Sequence, residues 1–419
     1  MRSEQPRRRR LVVVGNGMAG MRTIEELLAS APDRYEIAVF GAEPQPGYNR
    51  ILLSSALAGD RRIEDIITHP RCWHEAQGIS LFASDPIVAV DRDAKTVRSA
   101  AGICLTYDKL LLATGSKPVA LPVAGLDLPG VCAFRDIADA ETMIAAAGRY
   151  RRAIVIGGGL LGLEAAWGLR RRGMAVTVIH LMPSLMERQL DATAAGLLQR
   201  DLEIRGIEFV LTAQTEEILG RERAEGVRLA DGREIAGELV VMAIGTRPNI
   251  ELARGAGLDI NRGIPVGDDL RTSDPAIYAV GECVEHNGQT FGLVAPLWEQ
   301  ARVCAARLAG DRRAVYLPQP VYTSLKITGI DVFSAGALAA AEEDDDLVTL
   351  SDTAAGVYKK LILRGNLLVG CVLYGDVADG PWYVQLMQRQ STTSAWRDHL
   401  IFGRDFAEAA SAAPVAQTA

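Results

Sequence analysis

Two stretches of the chain share one pattern of apolar and polar positions: a short continuous apolar run, a glycine-rich turn, and apolar residues at helical spacing. The first is Leu11-Val-Val-Val-Gly15-Asn-Gly17-Met-Ala-Gly20. It predicts a buried strand, a helix running through Leu28, and a second strand from Glu36 to Phe40. The second is Ala153-Ile-Val-Ile-Gly157-Gly-Gly159-Leu-Leu-Gly162, with a helix through Arg171 and a strand from Ala175 to Ile179. Strands that are apolar at every position, rather than at alternate ones, are covered on both faces, as in parallel sheets. Each stretch therefore opens a βαβ unit. The expected fold class is α/β, with two doubly wound parallel-sheet domains.

Between the units, Thr96 to Leu105 reads as hairpin material and Lys109 to Ala113 as a returning buried strand. Leu121 to Val131, with two prolines and two glycines, reads as a crossing linker. In the second unit, Gly226 to Ile235 carries Asp231-Gly232 at a hairpin tip; Val240 to Ile244 then returns as a strand into Gly245-Thr246-Arg247-Pro248. Ala276 to Val280 forms another strand, followed by a helix from Pro296 to Ala309. Beyond Tyr316, segments such as Leu361 to Leu363 and Leu367 to Leu373 predict a small mixed α/β domain. The acidic run Glu342 to Asp346 reads as a solvated turn, and the Ala-rich residues after Phe406 as a disordered tail.

With 419 residues the chain exceeds one compact core and divides into two or three domains. An apolar fraction of 48% beside 23% charged residues is ordinary for a folded protein. The net charge of -7 argues against nucleic acid as the main partner. Five of the first ten residues are arginine, which reads as a solvated arm before the first strand. No apolar run reaches the ~20 residues of a membrane span. The run Leu11 to Val14 breaks at once into a turn, unlike a signal-peptide core. A cytoplasmic protein, with no membrane partner, is the expectation. The six cysteines, Cys72, Cys104, Cys132, Cys283, Cys304 and Cys371, are widely spaced, which excludes clustered zinc, iron–sulfur and C-x-x-C arrangements. No metal site is expected.

The glycines of the first motif have separable tasks. Gly15 permits the tight strand-to-helix turn, Gly17 admits a pyrophosphate close to the backbone, and Gly20 lets the helix approach the sheet. The helix N-terminus supplies free amides and partial positive charge. Glu43, just past the second strand, stands where a carboxylate accepts ribose hydroxyls. The second motif repeats the glycines, but His180 ends its strand where an acid would otherwise stand. A neutral imidazole can accept from a ribose hydroxyl without repelling a 2′-phosphate, so the residues alone leave NADH and NADPH both open. Two dinucleotide sites ask for two dinucleotides. One flavin and one nicotinamide suffice, since hydride passes between rings stacked at roughly 3–3.5 Å.

With these motifs in view, the sequence resembles a known family. Gly15 to Gly20, Ala113-Thr114-Gly115, Gly157 to Gly162, Ala243 to Asn249 and Ala279-Val280-Gly281-Glu282 are similar to the marker segments of the two-dinucleotide flavoprotein reductases, which include the rubredoxin and ferredoxin reductases. A narrower resemblance lies in Tyr48-Asn-Arg-Ile-Leu-Leu-Ser54 with Gly59, His180 to Asp191, and Phe291 to Gln300. These look like the N-terminal flavin and nicotinamide region of the large subunit of assimilatory NADH-dependent nitrite reductase. The similarity runs from about residue 10 to about residue 405.

The resemblance implies FAD and NAD as cofactors, with NADH the donor. It implies FAD contacts at Gly15, Gly17, Met18, Ala19, Gly20, Glu43, Arg50, Ala113, Thr114, Gly115, Gly281, Glu282 and Leu297. Nicotinamide-dinucleotide contacts are implied at Gly157, Gly159, Leu160, Leu161, Gly162, His180 and Gly245. The helix beginning near Pro296 would direct its N-terminus at the flavin, with Trp298 or Leu297 by the ring edge. The flavin itself does the chemistry, and no catalytic dyad is required. The fold implied is two dinucleotide-binding domains of the three-layer ββα type plus a small C-terminal α/β domain. The expected divisions are 8–118 with 240–314 for FAD, 119–239 for NAD(P)H, 315–405 for the C-terminal domain, and 406–419 for the tail.

Three departures narrow the expectation. The final marker normally reads Gly-Asp, whereas Glu282 is one methylene longer. The lysine that ferredoxin reductases place beside the flavin is replaced by Ser55, leaving Ser54 or Ser55 as a hydrogen-bond donor. The helix expected over Asn49 to Leu57 has no cysteine, which excludes a redox disulfide, so electrons leave from the flavin. Without the cysteine-bound and sirohaem modules of nitrite reductase, the chain is expected to act as a stand-alone component. It would pass electrons to a nitrate or nitrite reductase or to an iron–sulfur carrier. A rubredoxin or ferredoxin reductase of another pathway and a flavin-based redox sensor are the alternatives. The C-terminal domain is expected either to bury a homodimer face or to cover the flavin.

Overall fold

The computed structural model describes residues 8–412, apart from 326, 328, 343 and 344. Five parallel strands form the first sheet, in the order Ile277–Ala279, Lys109–Leu112, Arg9–Val14, Tyr35–Phe40, Ser80–Phe82. Leu11, Val12 and Val13 are fully buried, as a strand covered on both faces requires. The helix Met18–Ser30 lies on one face, burying Met21, Ile24 and Leu27 at helical spacing, and packs along the helix Val294–Ala309. On the other face sits a three-stranded antiparallel meander of Ile87–Asp91, Thr96–Ser99 and Cys104–Thr106, whose Ile87 and Val97 join the sheet's core. Helix, parallel sheet and meander make the three expected layers.

The second sheet repeats this plan: Val131–Ala133, Leu239–Met242, Arg152–Ile156, Ala175–Ile179, Ile207–Val210, all parallel. Its meander is Thr215–Leu219, Gly226–Leu229 and Glu234–Ala236, with Ile218, Val227 and Leu229 buried on Ile154, Ile156 and Val240. Here the expected division needs correcting. A boundary between residues 239 and 240 would cut Leu239–Met242 from the sheet in which it lies between two partners. The crossing falls a few residues later, where Thr246–Pro248 pairs antiparallel with Ser116–Pro118. The outbound and returning connections thus form one two-stranded ribbon.

Beyond the second crossing, five antiparallel strands in the order Tyr322–Ser324, Val332–Gly336, Leu367–Tyr374, Val357–Arg364, Asp345–Asp352 form the third sheet. One face packs on the helix Gly380–Arg389. The other sends Tyr358, Val372 and Tyr374 into the core of the second domain. The acidic run is not merely a solvated turn: Asp345 and Asp346 enter the edge strand and pair with Arg364 and Arg397. Nor does disorder begin at 406, because residues 404–412 form a helix. The last seven residues and the first seven, including the start of the arginine arm, lie outside the described residues. No helix among the described residues is long and apolar enough to cross a membrane.

Candidate dinucleotide sites

The strand Arg9–Val14 delivers the chain to Gly15, whose φ of 114° lies where side chains rarely go. A Cβ there would stand 2.1 Å from the Ala113 carbonyl oxygen, and one on Gly20 would stand 2.6 Å from the Gly15 oxygen. The fold itself therefore demands both glycines. Gly17 differs. Its φ is -88°, and a Cβ would meet nothing within 4 Å. No protein atom requires glycine there, and the open face belongs to a helix N-terminus with no side-chain cap. The amides of Met18, Ala19 and Gly20 lack intrahelical acceptors, at the positive end of the helix dipole. Such a cradle accepts a diphosphate.

Glu43 is clamped beside it. The Tyr48 hydroxyl donates to one carboxylate oxygen at 2.7 Å and Arg50 to the other at 2.6 Å. Burial pushes the Tyr48 phenol far above its usual range, which keeps it a donor. Arg50 also donates to the backbone carbonyl of Arg135, whose own guanidinium pairs with Glu282. Ser116 donates to the same Glu282 oxygen at 2.8 Å. The two acids singled out in the sequence thus stand at opposite ends of one hydrogen-bonded chain, joined through Arg50 and Arg135. Gly115 and Gly281 have φ of 67° and 92°, and Thr114 donates to the Asn249 carbonyl at 2.7 Å. Gly281 donates to Gln300 Oε1 at 2.8 Å.

One atom tests whether a ligand belongs here. Asn16 Oδ1, in the turn, is buried with no hydrogen-bond partner among the described residues. A buried polar atom left so costs about 1–3 kcal/mol, a deficit that a polar ligand would remove. With the uncapped helix and the open Gly17 face, the residues present fit an FAD. Leu297 is buried, whereas Trp298 is 38% exposed. Trp298 borders a cavity of about 160 Å³ shared with Gly17, Met18, Tyr48, Asn49 and His69, and the Arg22 guanidinium lies 6.0 Å from the centre of its ring.

The second cradle repeats the first almost residue for residue. Gly157 has φ of 122°, and a Cβ on it would lie 2.3 Å from the Ala243 oxygen. A Cβ on Gly162 would lie 2.0 Å from the Gly157 oxygen, while around Gly159 there is again nothing within 4 Å. The helix Leu160–Arg171 starts without a side-chain cap, leaving the amides of Leu160 and Leu161 free for phosphate oxygens. Gly245, φ 113°, also faces open space. His180 behaves differently from its sequence reading. Its Nδ1 accepts the Gly158 amide at 3.0 Å, and its Nε2 lies 3.1 Å from a Glu187 oxygen. The lone pair that a ribose hydroxyl would have used is already taken.

The cradles are held together by the short helix Leu53–Ala58, which follows a 3-10 turn at Arg50–Leu52 in place of one helix over Asn49 to Leu57. Its buried Ser54 donates to buried Glu164 on the second cradle's helix. Arg172 donates to the Ala56 and Leu57 carbonyls of the same short helix. Arg135, Glu164 and Glu187 were not singled out in the sequence. For Glu164 a signal existed: a lone acid in Leu-Leu-Gly-Leu-Glu-Ala-Ala, on a helix otherwise buried there. All six cysteines are free, and among the described residues no cluster of His, Cys, Asp or Glu could hold a metal.

Duplicated cradles of this kind, on adjoining parallel sheets, define an FAD- and nicotinamide-dependent oxidoreductase. Residues 9–306 match the family model described as pyridine nucleotide-disulphide oxidoreductase, and residues 320–391 that of the rubredoxin NAD+ reductase C-terminal domain. The chain belongs to the pyridine nucleotide-disulphide oxidoreductase family. It is 51% identical to a nitrite reductase [NAD(P)H] of Bacillus subtilis, over 92% of this chain and 48% of that one. It is 44% identical to the assimilatory nitrate reductase electron transfer subunit of the same organism, over 94% and 51%. The chain therefore spans about half the length of these relatives. Among solved structures, a ferredoxin reductase from Rhodopseudomonas palustris superposes with a TM-score of 0.85 at 28% identity, covering 96% of this chain and 99% of that one. The putidaredoxin reductase–putidaredoxin complex gives a TM-score of 0.86 at 26% identity, covering 97% and 99%.

Proposed function

We propose that the chain takes reducing equivalents from NADH and passes them to a separate redox protein of nitrate or nitrite assimilation. The observation that carries this reading is the duplicated cradle: two uncapped helix N-termini, each under a glycine whose face no protein atom fills, tied to each other through Ser54 and Glu164. When bound, FAD and NADH supply hydride transfer between their rings and onward release of single electrons. The protein's part is to hold and orient. The amides after Gly17 and Gly159 hold the two diphosphates, Glu43 accepts adenosine ribose hydroxyls, and Glu282, paired with Arg135, accepts ribityl hydroxyls. The N-terminal turn of Val294–Ala309, in which Leu297 is buried, would present Leu297 and the positive end of the helix dipole to the flavin.

The acceptor follows from the relatives, which are named for nitrite reduction and for nitrate reductase electron transfer. We place the reaction in the cytoplasm, in keeping with six unpaired cysteines. A second reading, a ferredoxin reductase of another pathway, is favoured by the matching C-terminal domain and the nearly full-length superposition on such a reductase. Anaerobic mixing of the yellow holoprotein with NADH should bleach the flavin absorbance, and persistence of the colour would reject the reading. Adding candidate acceptor proteins to the reduced enzyme then separates the two acceptors.

A further inference from the structure

The second cradle lacks an acid at the end of its strand, yet the chain brings one back. After His180, seven residues loop outward and return. The Met186 amide donates to the Gly158 carbonyl at 3.0 Å, and the amides of Gln189 and Leu190 close a turn on the Met186 carbonyl at 2.7 and 2.9 Å. Leu185 and Met186 are wholly buried, which pins this return over the glycine turn. Glu187 is thereby set beside the His180 ring, with 30% of its side chain exposed. A Cβ on Gly158 would stand 2.7 Å from that ring, so the second glycine of Gly157-Gly-Gly159 is there to seat the imidazole.

The tautomer follows from the partners. A backbone amide can only donate, so Nδ1 of His180 carries the lone pair that accepts the Gly158 N–H. The neutral ring then has its proton on Nε2, which donates to Glu187. That bond engages one oxygen of the carboxylate, and the side chain stays partly exposed.

We propose that Glu187, oriented by His180, is the carboxylate that accepts the adenosine 2′-hydroxyl of the nicotinamide dinucleotide and selects NADH over NADPH. The inference rests on reading the second cradle as the nicotinamide site. A hydroxyl donates to an anionic oxygen, whereas a 2′-phosphate brings only acceptors and like charge, so one group both attracts the first and repels the second. The neighbouring Arg188 is exposed and is the cation that would act in the opposite sense.

Calorimetric titration of the oxidised holoprotein with ADP-ribose and with 2′-phospho-ADP-ribose tests this without turnover. The wild type should prefer ADP-ribose by about tenfold or more, the scale of one charge-assisted hydrogen bond. Glu187→Gln should collapse that preference to about two- or threefold, with the NADH/NADPH ratio of kcat/KM falling in step. An unchanged preference in Glu187→Gln, or one that moves only in Arg188→Ala, overturns the assignment. Binding of neither probe by the wild type would instead sink the nicotinamide reading on which it stands.

Discussion

Ser54 and Glu164 meet across the junction of the two dinucleotide domains. The hydroxyl at the start of the short helix Leu53–Ala58 donates to a carboxylate four residues into the helix of the second cradle, and both residues are buried. Where ferredoxin reductases are expected to set a lysine, this chain has Ser55, and its neighbour Ser54 serves the carboxylate instead. The contact ties the position of one cofactor cradle to the other, because Gly168 on the Glu164 helix has no room for a Cβ: it would stand 2.6 Å from Leu57.

Removing that hydroxyl leaves a buried carboxylate one donor short. Ser54→Ala should lower unfolding free energy by about 1–3 kcal/mol, read from urea denaturation of the holoprotein. A variant as stable as the parent would mean that the two side chains do not meet in solution.

Gly17 separates ligand from fold in a way that Gly15 cannot. Since Gly17 has an ordinary φ and open space above it, Gly17→Leu should fold with nearly parental stability while losing FAD, seen as a collapse of the 450 nm to 280 nm absorbance ratio. Gly15→Ala instead drives a methyl into the Ala113 carbonyl at a strained φ, and should yield little soluble protein. A yellow, soluble Gly17→Leu protein is the result that contradicts the placement of the diphosphate.

What was legible in the sequence was what the backbone alone dictates. The glycines at 15, 20, 157 and 162 are forced by turns and close approaches, and the strand Ala175–Ile179 has the bounds its apolar run implies. An apolar run does not say which sheet it will join, so a boundary at 239/240 splits Leu239–Met242, whose partners both lie in the second sheet. Side-chain partners were less visible still. Arg135 meets Glu282 from 147 residues away, and Glu164 meets Ser54 from 110. Glu187 returns to its strand end only because buried Leu185 and Met186 fold the loop back, which no local pattern announces.

Asp191 gives the docking of the C-terminal sheet a pH dependence. Its carboxylate caps the helix Ala192–Ile204 through the Ala194 amide and accepts from Tyr358 at 2.7 Å and Lys360 at 3.0 Å. Burial alone would raise its pKa, but those three donors hold it below the usual aspartate value. A depressed folded pKa contributes stability above the unfolded value of about 4, and that contribution is lost as pH falls through the folded one. Asp191→Asn keeps a capping side chain but not the ion pair. Its urea midpoint should therefore lie below the parent's at pH 7 and converge with it below about pH 4. Parallel curves over that range would show that the charge does not matter.

Arg135 offers the sharpest test of the first cradle, because it lies in the connection to the second domain rather than in any cofactor motif. Its guanidinium neutralises Glu282, whose side chain is only 15% exposed, and its carbonyl receives Arg50, which in turn holds Glu43. Arg135→Ala leaves the carbonyl in place but strands the Glu282 charge beside Ser116 alone. A largely buried carboxylate without its cation turns toward water, which moves it away from the position proposed for holding ribityl hydroxyls. Flavin fluorescence should therefore appear at a lower temperature on heating Arg135→Ala than the parent. Arg135→Lys should recover part of the loss, since an ammonium restores charge but not the planar fork. If the alanine variant unfolds early yet releases FAD no sooner than it unfolds, Arg135 serves only the junction between domains. If release precedes unfolding, the chain of contacts from Glu43 to Glu282 is what grips the cofactor.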